Sequence, residues 1–138
     1  MLLREKQLPR PQRATLAEQL KEILTPVGGI LIVASDTTIP ADGVHLATVD
    51  PVPRPAPSPL GRSCHTAQDV AVAAAEGCSY ATLSPIFATA SKPGYGPALG
   101  PLLLADHPLP VWALGGITAS NAGACIAAAP RASPSWEP

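Results

Sequence analysis

Short apolar runs alternate with polar, glycine-rich segments along the chain, and this alternation restricts the possible folds more than any other feature. The clearest run spans residues 29–34 and is apolar at every position, so both faces of a strand there would be apolar. Such strands are typical of parallel sheets that are covered on both sides. Further strands are predicted at 43–47, 60–63, 79–83 and 110–114. Strand, loop and helix then alternate, which predicts an α/β protein with a parallel sheet.

Two capping-box patterns predict where helices start. Thr15 is followed by Glu18 and Thr66 by Asp69, a spacing at which each side chain satisfies a free backbone N–H of the first turn. A third helix is expected to begin at Thr118, after the last strand.

Proline is unusually frequent, with 18 residues in a chain of 138, compared with a usual share of about 5%. Prolines occupy every second position from 51 to 59. This pattern favours a polyproline II conformation and excludes a central strand. We therefore predict a linker-like loop at 51–59.

Charge and composition exclude several classes of protein. The net charge is −1 and no basic run occurs, which argues against nucleic acid or an anionic membrane surface as a partner. No apolar stretch reaches the ~18 residues of a membrane helix, and the start of the chain is too charged for a secretory signal. The three cysteines lie far apart, so neither a disulfide framework nor a zinc motif is indicated. We expect a reduced, cytoplasmic protein, and the oligomeric state stays open.

Polar segments directly follow several predicted strands. The carboxyl ends of parallel strands meet at one edge of a sheet or barrel, and ligands bind at that edge. We therefore expect a ligand site formed by these segments. They are Ser35-Asp36, Asp50, residues 84–100 and Gly115-Gly116.

The long segment 84–100 is the most informative of these. It contains the hydroxyls of Thr89 and Ser91, the cation of Lys92 and several glycines, a combination that can surround a phosphate. A surface loop with one solvated lysine explains the composition about as well. The Gly115-Gly116 pair would let the backbone approach an anion, while a tight turn explains that pair more simply.

Charged residues at other strand ends leave alternatives open. Asp36 and Asp50 could hold Mg²⁺ together with a substrate phosphate, or each could be a cap or turn residue. Arg4 and Lys6 would point to the same side of a strand, or they could belong to a frayed, solvated terminus.

Histidines next to strand residues could suggest catalysis. Cys64-His65 is rejected as a nucleophile and base, because adjacent strand residues face opposite sides. His45 is expected to be a barrel residue whose hydrogen bonds are satisfied.

Several short motifs occur in a characteristic order and spacing: Leu3-Arg-Glu-Lys6, Ala41-Asp-Gly-Val-His-Leu46, Gly61-Arg-Ser-Cys-His-Thr66, Ser84-Pro-Ile-Phe87, Thr89-Ala-Ser-Lys92 and Ala113-Leu-Gly-Gly-Ile-Thr118. Together they resemble the thiamine-phosphate synthase and thiazole tautomerase family. The resemblance implies a TIM-like (β/α) barrel and a transferase that uses Mg²⁺. The substrates would be aminopyrimidine methyl pyrophosphate and thiazole phosphate, and the products thiamine phosphate and pyrophosphate.

The resemblance also implies roles for single residues. Lys92 and Ser63 would act at the reacting centre, and Asp36 with Asp50 would hold Mg²⁺. The thiazole phosphate would be bound by Thr89, Ser91 and Gly116. The pyrophosphate and pyrimidine would be bound by Arg4, Lys6, Ser35, Ser63 and Lys92.

The chain departs from the family pattern in identifiable places. Ser35 stands where the family has Asn, and the helices expected within 36–42 and 51–59 are reduced or replaced by prolines. The first and last β/α elements are missing from the pattern. We therefore expect an incomplete barrel over residues 1–128 and a disordered tail over 129–138.

Two other functions stay compatible with these motifs. A thiazole tautomerase of the same fold, which is an isomerase, would bind the thiazole phosphate and use His65 for proton transfer. A non-catalytic remnant would only bind a phosphate. The retained residues Arg4, Lys6, Asp50 and Lys92 favour the synthase.

Overall fold

The computed structural model describes residues 1–89 and 97–129, and these residues form one sheet of six parallel strands. Each strand pairs with the next one along the chain, and the sheet curls into half of a barrel. The α/β class and the incomplete TIM-like barrel predicted from the sequence are thereby confirmed. The strands are β1 (Leu2–Leu3), β2 (Ile32–Ala34), β3 (Gly43–Leu46), β4 (Leu60–Cys64), β5 (Tyr80–Leu83) and β6 (Val111–Ala113).

Three α-helices accompany the sheet: α1 (Arg10–Leu24), α2 (Ala67–Ala75) and α3 (Ala122–Ala128). The connections 35–42 and 47–59, both described throughout, contain no helix, as the sequence predicts. Within the described residues, no helix is long and apolar enough to cross a membrane.

The start of one helix was predicted correctly and that of another was not. Thr66 and Asp69 form the expected capping box, each side chain accepting a 3.0 Å hydrogen bond from the other's backbone N–H. The first helix begins at Arg10, so a start at Thr15 was wrong. Proline in the first turn costs no hydrogen bond and favours an earlier start, at Pro9-Arg-Pro11. The hydroxyl of Thr15 instead donates to the carbonyl oxygen one turn back.

The last helix begins at Ala122 rather than at the predicted Thr118. Asn121 causes the difference, because its Oδ1 accepts a 2.7 Å hydrogen bond from the Thr118 N–H and closes a separate turn first. From residue 130 onward, the tail that we expected to be disordered lies outside the described residues.

Two apolar clusters hold the helices on the sheet. Burial of each large apolar side chain stabilises the folded state by roughly 1.5–3 kcal/mol. These clusters therefore fix the positions of the strand ends. The cluster under α1 contains Leu3, Ala17, Leu31, Val33 and Ile39. The cluster around α2 includes Val44, Leu46, Leu60, Val70, Ala73, Leu83 and Ile86.

Both outer strands of the sheet have one open edge. Among the described residues, β1 pairs only with β2, and β6 pairs only with β5. Large apolar side chains are exposed near these edges, with Trp112 of β6 65% exposed and Leu2 of β1 45% exposed. Unpaired edge N–H and C=O groups readily accept a further strand.

Candidate functional site

A cavity of about 720 Å³ opens at the carboxyl ends of the strands. Its wall combines two cations with several hydroxyl and imidazole groups, which suits a polar, anionic ligand. The lining residues are Arg4, Lys6, Ala34, Ser35, His45, Ala47, Thr48, Val49, Ser63, His65, Thr82, Ser84, Pro85, Leu114 and Gly115.

Arg4 and Lys6 provide the positive charge of the cavity. Both line the cavity, but they lie beyond the end of β1 and Lys6 lies in a turn, so the strand alternation from which we expected them to share a side does not apply. The start of the chain is held rather than frayed, because β1 pairs with β2 and the N-terminal amine of Met1 donates a 2.7 Å hydrogen bond to the Ile30 carbonyl. The terminus is therefore not frayed, whereas Arg4 and Lys6 themselves are solvent-exposed, as that alternative expects.

Asp50 is not one of the residues that line the cavity, but it contacts two that are, Ala47 and Ser35. Its Oδ2 accepts a 2.7 Å hydrogen bond from the Ala47 N–H, and Lys6 Nζ donates a 3.2 Å hydrogen bond to Ser35 Oγ. Burial raises the pKa of Asp50, but hydrogen bonds from Ser35 and Ala47 and the charges of Lys6 and Arg62 together hold that pKa below its usual value. The carboxylate is therefore ionised at neutral pH.

Asp36 is directed toward α1. Its Oδ2 forms a 2.7 Å ion pair with Arg13, and its Oδ1 accepts hydrogen bonds from the hydroxyl and the N–H of Thr38 at 2.6 and 3.0 Å. The Thr38 hydroxyl bond is the main cause that lowers the pKa of Asp36, against the effect of burial. Asp36 does not line the cavity. Across residues 1–89 and 97–129, no group of three or more His, Cys, Asp and Glu side chains is arranged to hold a metal ion.

The interior of the cavity contains a buried imidazole surrounded by hydroxyls. His45 Nδ1 lies 3.0 Å from Tyr80 Oη, and Nε2 lies 3.0 Å from Ser63 Oγ and 3.5 Å from Thr82 Oγ1. Burial, with the charge of Lys6, lowers the pKa of His45. The expectation that His45 is a satisfied barrel residue is thus confirmed. Gly61 leaves the space that the Tyr80 ring occupies, since a Cβ there would collide with that ring.

Sequence reasoning did not include Tyr80 and Thr82 in the site. Their positions two apart on one strand place them on the same face, and this was the available signal. Which face lies toward His45 depends on the pairing of β3 through β5, which is not local in the sequence.

His65 lines the cavity beside the loop that follows β5. Its Nδ1 lies 2.8 Å from the carbonyl oxygen of Ser84, a distance at which Nδ1–H donates to that oxygen. The neighbouring Cys64 is fully buried, and burial raises the pKa of its thiol to about 11. A thiol with that pKa is protonated at neutral pH, which agrees with rejecting it as a nucleophile.

The loop that begins at Ser84 and the Gly115-Gly116 turn form one continuous wall. The N–H groups of Ile86 and Phe87 donate to the carbonyl oxygens of Leu114 and Gly115 at 2.8 and 3.0 Å. Gly116 has a φ of +65°, and a Cβ there would collide with the carbonyl oxygens of Phe87 and Ala88. Thr89 therefore lies one residue beyond a backbone contact of this turn. Ser91 and Lys92 lie outside the described residues.

The fold and the site together define a class of protein, a partial (β/α) barrel with a cationic ligand cavity at the carboxyl ends of its strands. A sequence profile of the thiamine monophosphate synthase family matches residues 1–131, and the chain belongs to that family.

Individual relatives agree with this assignment. The chain is similar to the thiamine-phosphate synthase of Methanoculleus marisnigri, with 41% identity over 91% of this chain and 66% of the relative. It is 34% identical to the thiamine-phosphate synthase of Thioalkalivibrio sulfidiphilus, again over 91% of this chain and 66% of the relative. The solved structure of a thiamine phosphate pyrophosphorylase from Pyrococcus furiosus has the same fold, with a TM-score of 0.76 and 21% sequence identity. The match covers 92% of this chain and 67% of the Pyrococcus chain. The chain thus spans 66% of the length of these curated relatives.

Proposed function

We propose that this chain is a thiamine-phosphate synthase, a transferase that condenses aminopyrimidine methyl pyrophosphate with thiazole phosphate and releases pyrophosphate. The observation that carries the proposal is the position of Arg4 and Lys6 on one cavity wall with Ser35 and Ser63. Two cations and two hydroxyls at a strand edge suit the pyrophosphate of the first substrate.

The chemical step requires little proton transfer. Pyrophosphate departs first, and the thiazole nitrogen captures the pyrimidine methyl cation that remains. Negative charge grows on the departing oxygens, so fixed cations and hydroxyl donors accelerate the step most. Arg4 and Lys6 supply the charge, and Ser63 is oriented by its contact with His45.

The proposed metal is Mg²⁺, held by Asp50 together with Asp36. Asp50 fits this role because its carboxylate is ionised and interacts with Ser35 and Lys6, which line the cavity. Asp36 is engaged by Arg13 and Thr38, so Asp50 would be the main protein ligand of the ion. When bound, the ion would neutralise charge on the pyrophosphate.

The thiazole phosphate is assigned to Thr89, Ser91 and Gly116. The contact between the Gly116 turn and the Ala88 carbonyl, which brings the two loops together, supports this assignment. Lys92 is proposed as the catalytic cation alongside Ser63. Lys92→Ala should lower the rate of the chemical step more than it weakens thiazole-phosphate binding, because interactions stronger in the transition state raise turnover.

A thiazole tautomerase is the second candidate, and the position of His65 on the cavity wall favours it. The 2.8 Å contact between Nδ1 and the Ser84 carbonyl oxygen would hold the ring at the cavity wall. Isomerisation of a thiazole phosphate without any pyrimidine substrate would identify this activity. Arg4→Met and Lys6→Met should leave a tautomerase largely active and should strongly impair a synthase.

The three cysteines are free and buried, and we infer a reduced, cytoplasmic setting with small-molecule substrates.

The open edges of β1 and β6 determine how the proposal is tested, because further strands could pair with them. We expect slow turnover from the chain alone, and faster turnover when β/α elements from a relative are fused so that they can pair with both edges. Equal rates with and without such elements would show that the half barrel is sufficient.

A further inference from the structure

Arg62 of β4 is a buried cation that the proposed chemistry does not use. Its neighbour Ser63 faces the cavity, whereas Arg62 lies on the opposite face of the strand and is 4% exposed. Burying a guanidinium is costly unless its donors are satisfied. Among the described residues Nε and Nη2 have no hydrogen-bond partner, so the hydrogen bonds of Nη1 and the ion pair of Nη2 hold the group in place.

Most of those contacts lie in one turn after β3. Arg62 Nη1 donates to the carbonyl oxygens of Ala47, Thr48 and Asp50 at 3.1, 3.0 and 2.9 Å. On its other side, Nη2 forms a 2.8 Å ion pair with Glu76 at the end of α2. The guanidinium therefore connects this turn to the helix behind the sheet.

The 47–50 turn has no helix to support it. The connection 47–59, all of it described, is irregular and carries a proline at every second position from 51. The cavity side of the same turn is formed by Ala47, Thr48 and Val49, and the Asp50 carboxylate closes it by accepting from the Ala47 N–H. Any loss of order in this turn would displace both the wall and the carboxylate.

We propose that Arg62 is a positioning residue that fixes the 47–50 turn from behind the sheet and thereby holds the Asp50 carboxylate against Ser35, which lines the cavity. The part concerning the turn stands on the structure alone. The part concerning what Asp50 binds rests on the proposed function.

Three variants test this role. Arg62→Met keeps much of the side-chain volume and removes all donors, and Arg62→Lys keeps the charge with donors from a single nitrogen. Glu76→Gln removes the ion pair behind the turn and leaves the carbonyl contacts in place, so it is the matched control. If Arg62→Met does not fold, Arg62→Lys provides the answer.

The first measurement is amide hydrogen exchange at Ala47 and Asp50, whose N–H groups are bonded within the turn. Exchange in Arg62→Met should be at least about tenfold faster there, while the Ala81 amide of β5 stays unchanged, because only local opening is facilitated. Arg62→Lys should be intermediate, and Glu76→Gln should be close to the parent. Unchanged exchange at Ala47 and Asp50 would overturn the proposal.

The second measurement is the affinity for inorganic pyrophosphate, with Mg²⁺ and with excess chelator. With Mg²⁺, Arg62→Met should bind pyrophosphate about tenfold more weakly than the parent, a loss of about 1.4 kcal/mol in binding free energy. In excess chelator, the variant and the parent should bind pyrophosphate equally well. Loss of the same size in both conditions would indicate general damage and would overturn the role through Asp50. If the parent chain binds no pyrophosphate at all, the proposed function fails, and the exchange result still decides whether Arg62 holds the turn.

Discussion

Lys6 Nζ lies 3.2 Å from Ser35 Oγ, and this contact joins the ends of the first two strands at the cavity. β1 and β2 are parallel neighbours, so residues just beyond their carboxyl ends meet. The same serine also hydrogen-bonds the Asp50 carboxylate. One hydroxyl therefore links a cation and a carboxylate, the two kinds of charge that the proposed metal-bound pyrophosphate would require.

Substitutions at Ser35 should separate its backbone role from its side-chain role. Ser35 has a φ of 59°, a left-handed conformation that Asn tolerates better than Ser. Ser35→Asn should raise the free energy of unfolding slightly or leave it unchanged, and it should keep pyrophosphate binding because its side chain is polar. Ser35→Ala should weaken pyrophosphate binding by roughly 1 kcal/mol, about the net value of one hydrogen bond. Calorimetric titration and urea unfolding of both variants check this, and equal binding by the two would contradict it.

Turnover should require Mg²⁺ through Asp50. Asp50→Asn should raise the Mg²⁺ concentration needed for half-maximal rate by an order of magnitude or more, because a neutral amide is a weaker ligand than a carboxylate. The matched control is Asp106→Asn, the same substitution at an exposed carboxylate with a φ of 57°. Undiminished activity in excess chelator would rule out the metal assignment.

The buried imidazole predicts a specific pH dependence of stability. The folded pKa of His45 is lowered from 6.5, mainly by burial, so the unfolded state binds the proton more tightly. The stabilisation of the folded state by neutral His45 is therefore fully present above pH 6.5. As the pH falls from 6.5 toward the folded pKa, the free energy of unfolding decreases by up to about 1.4 kcal/mol per pH unit.

Urea unfolding of the parent chain and of His45→Gln between about pH 7 and about pH 5 isolates the pH-dependent stabilisation that His45 provides. The difference in unfolding free energy between the two proteins should shrink as the pH falls. A difference that does not change with pH would show that the pKa of His45 is not lowered by folding.

Two glycine substitutions should change stability in opposite directions. Gly116→Ala places a Cβ against the Phe87 and Ala88 carbonyl oxygens at a φ of +65°, which we expect to cost roughly 1–3 kcal/mol. Gly123→Ala, in α3, meets open space and should gain about 0.5–1 kcal/mol from helix propensity. Chemical unfolding of both variants checks the signs, and a neutral Gly116→Ala would mean that the two loops are not in contact as described.

Local patterns predicted the elements of this fold more reliably than its side-chain partners. The apolar run 29–34 and the Thr66–Asp69 pair depend on interactions between residues close in sequence. The run contains strand β2, and the pair forms the start of helix α2. Thr15 did not, because prolines at 9 and 11 supply an earlier helix start that outweighs a capping pattern.

Partners across the sheet depend on strand register, which no short motif encodes. Tyr80 reaches His45 across 35 residues of sequence, and Arg13 binds Asp36 across 23. Asp36 was therefore recognisable as a carboxylate at a strand end, while its direction toward α1 was not. The same reason explains why Arg62, inside a motif read for Ser63, was not recognised as the support of the Asp50 turn.

The most direct test of the proposed function follows both products of the two-substrate reaction. The parent chain should form thiamine phosphate and pyrophosphate in equal amounts. Lys6→Met should lower kcat by ~10²–10³, the usual effect of removing one preorganised charge donor. Lys21→Met, which breaks an outer ion pair with Asp42, should match the parent. Folded protein that forms no thiamine phosphate, or a Lys6→Met variant as fast as the parent, would contradict the assignment of this cavity as a synthase site.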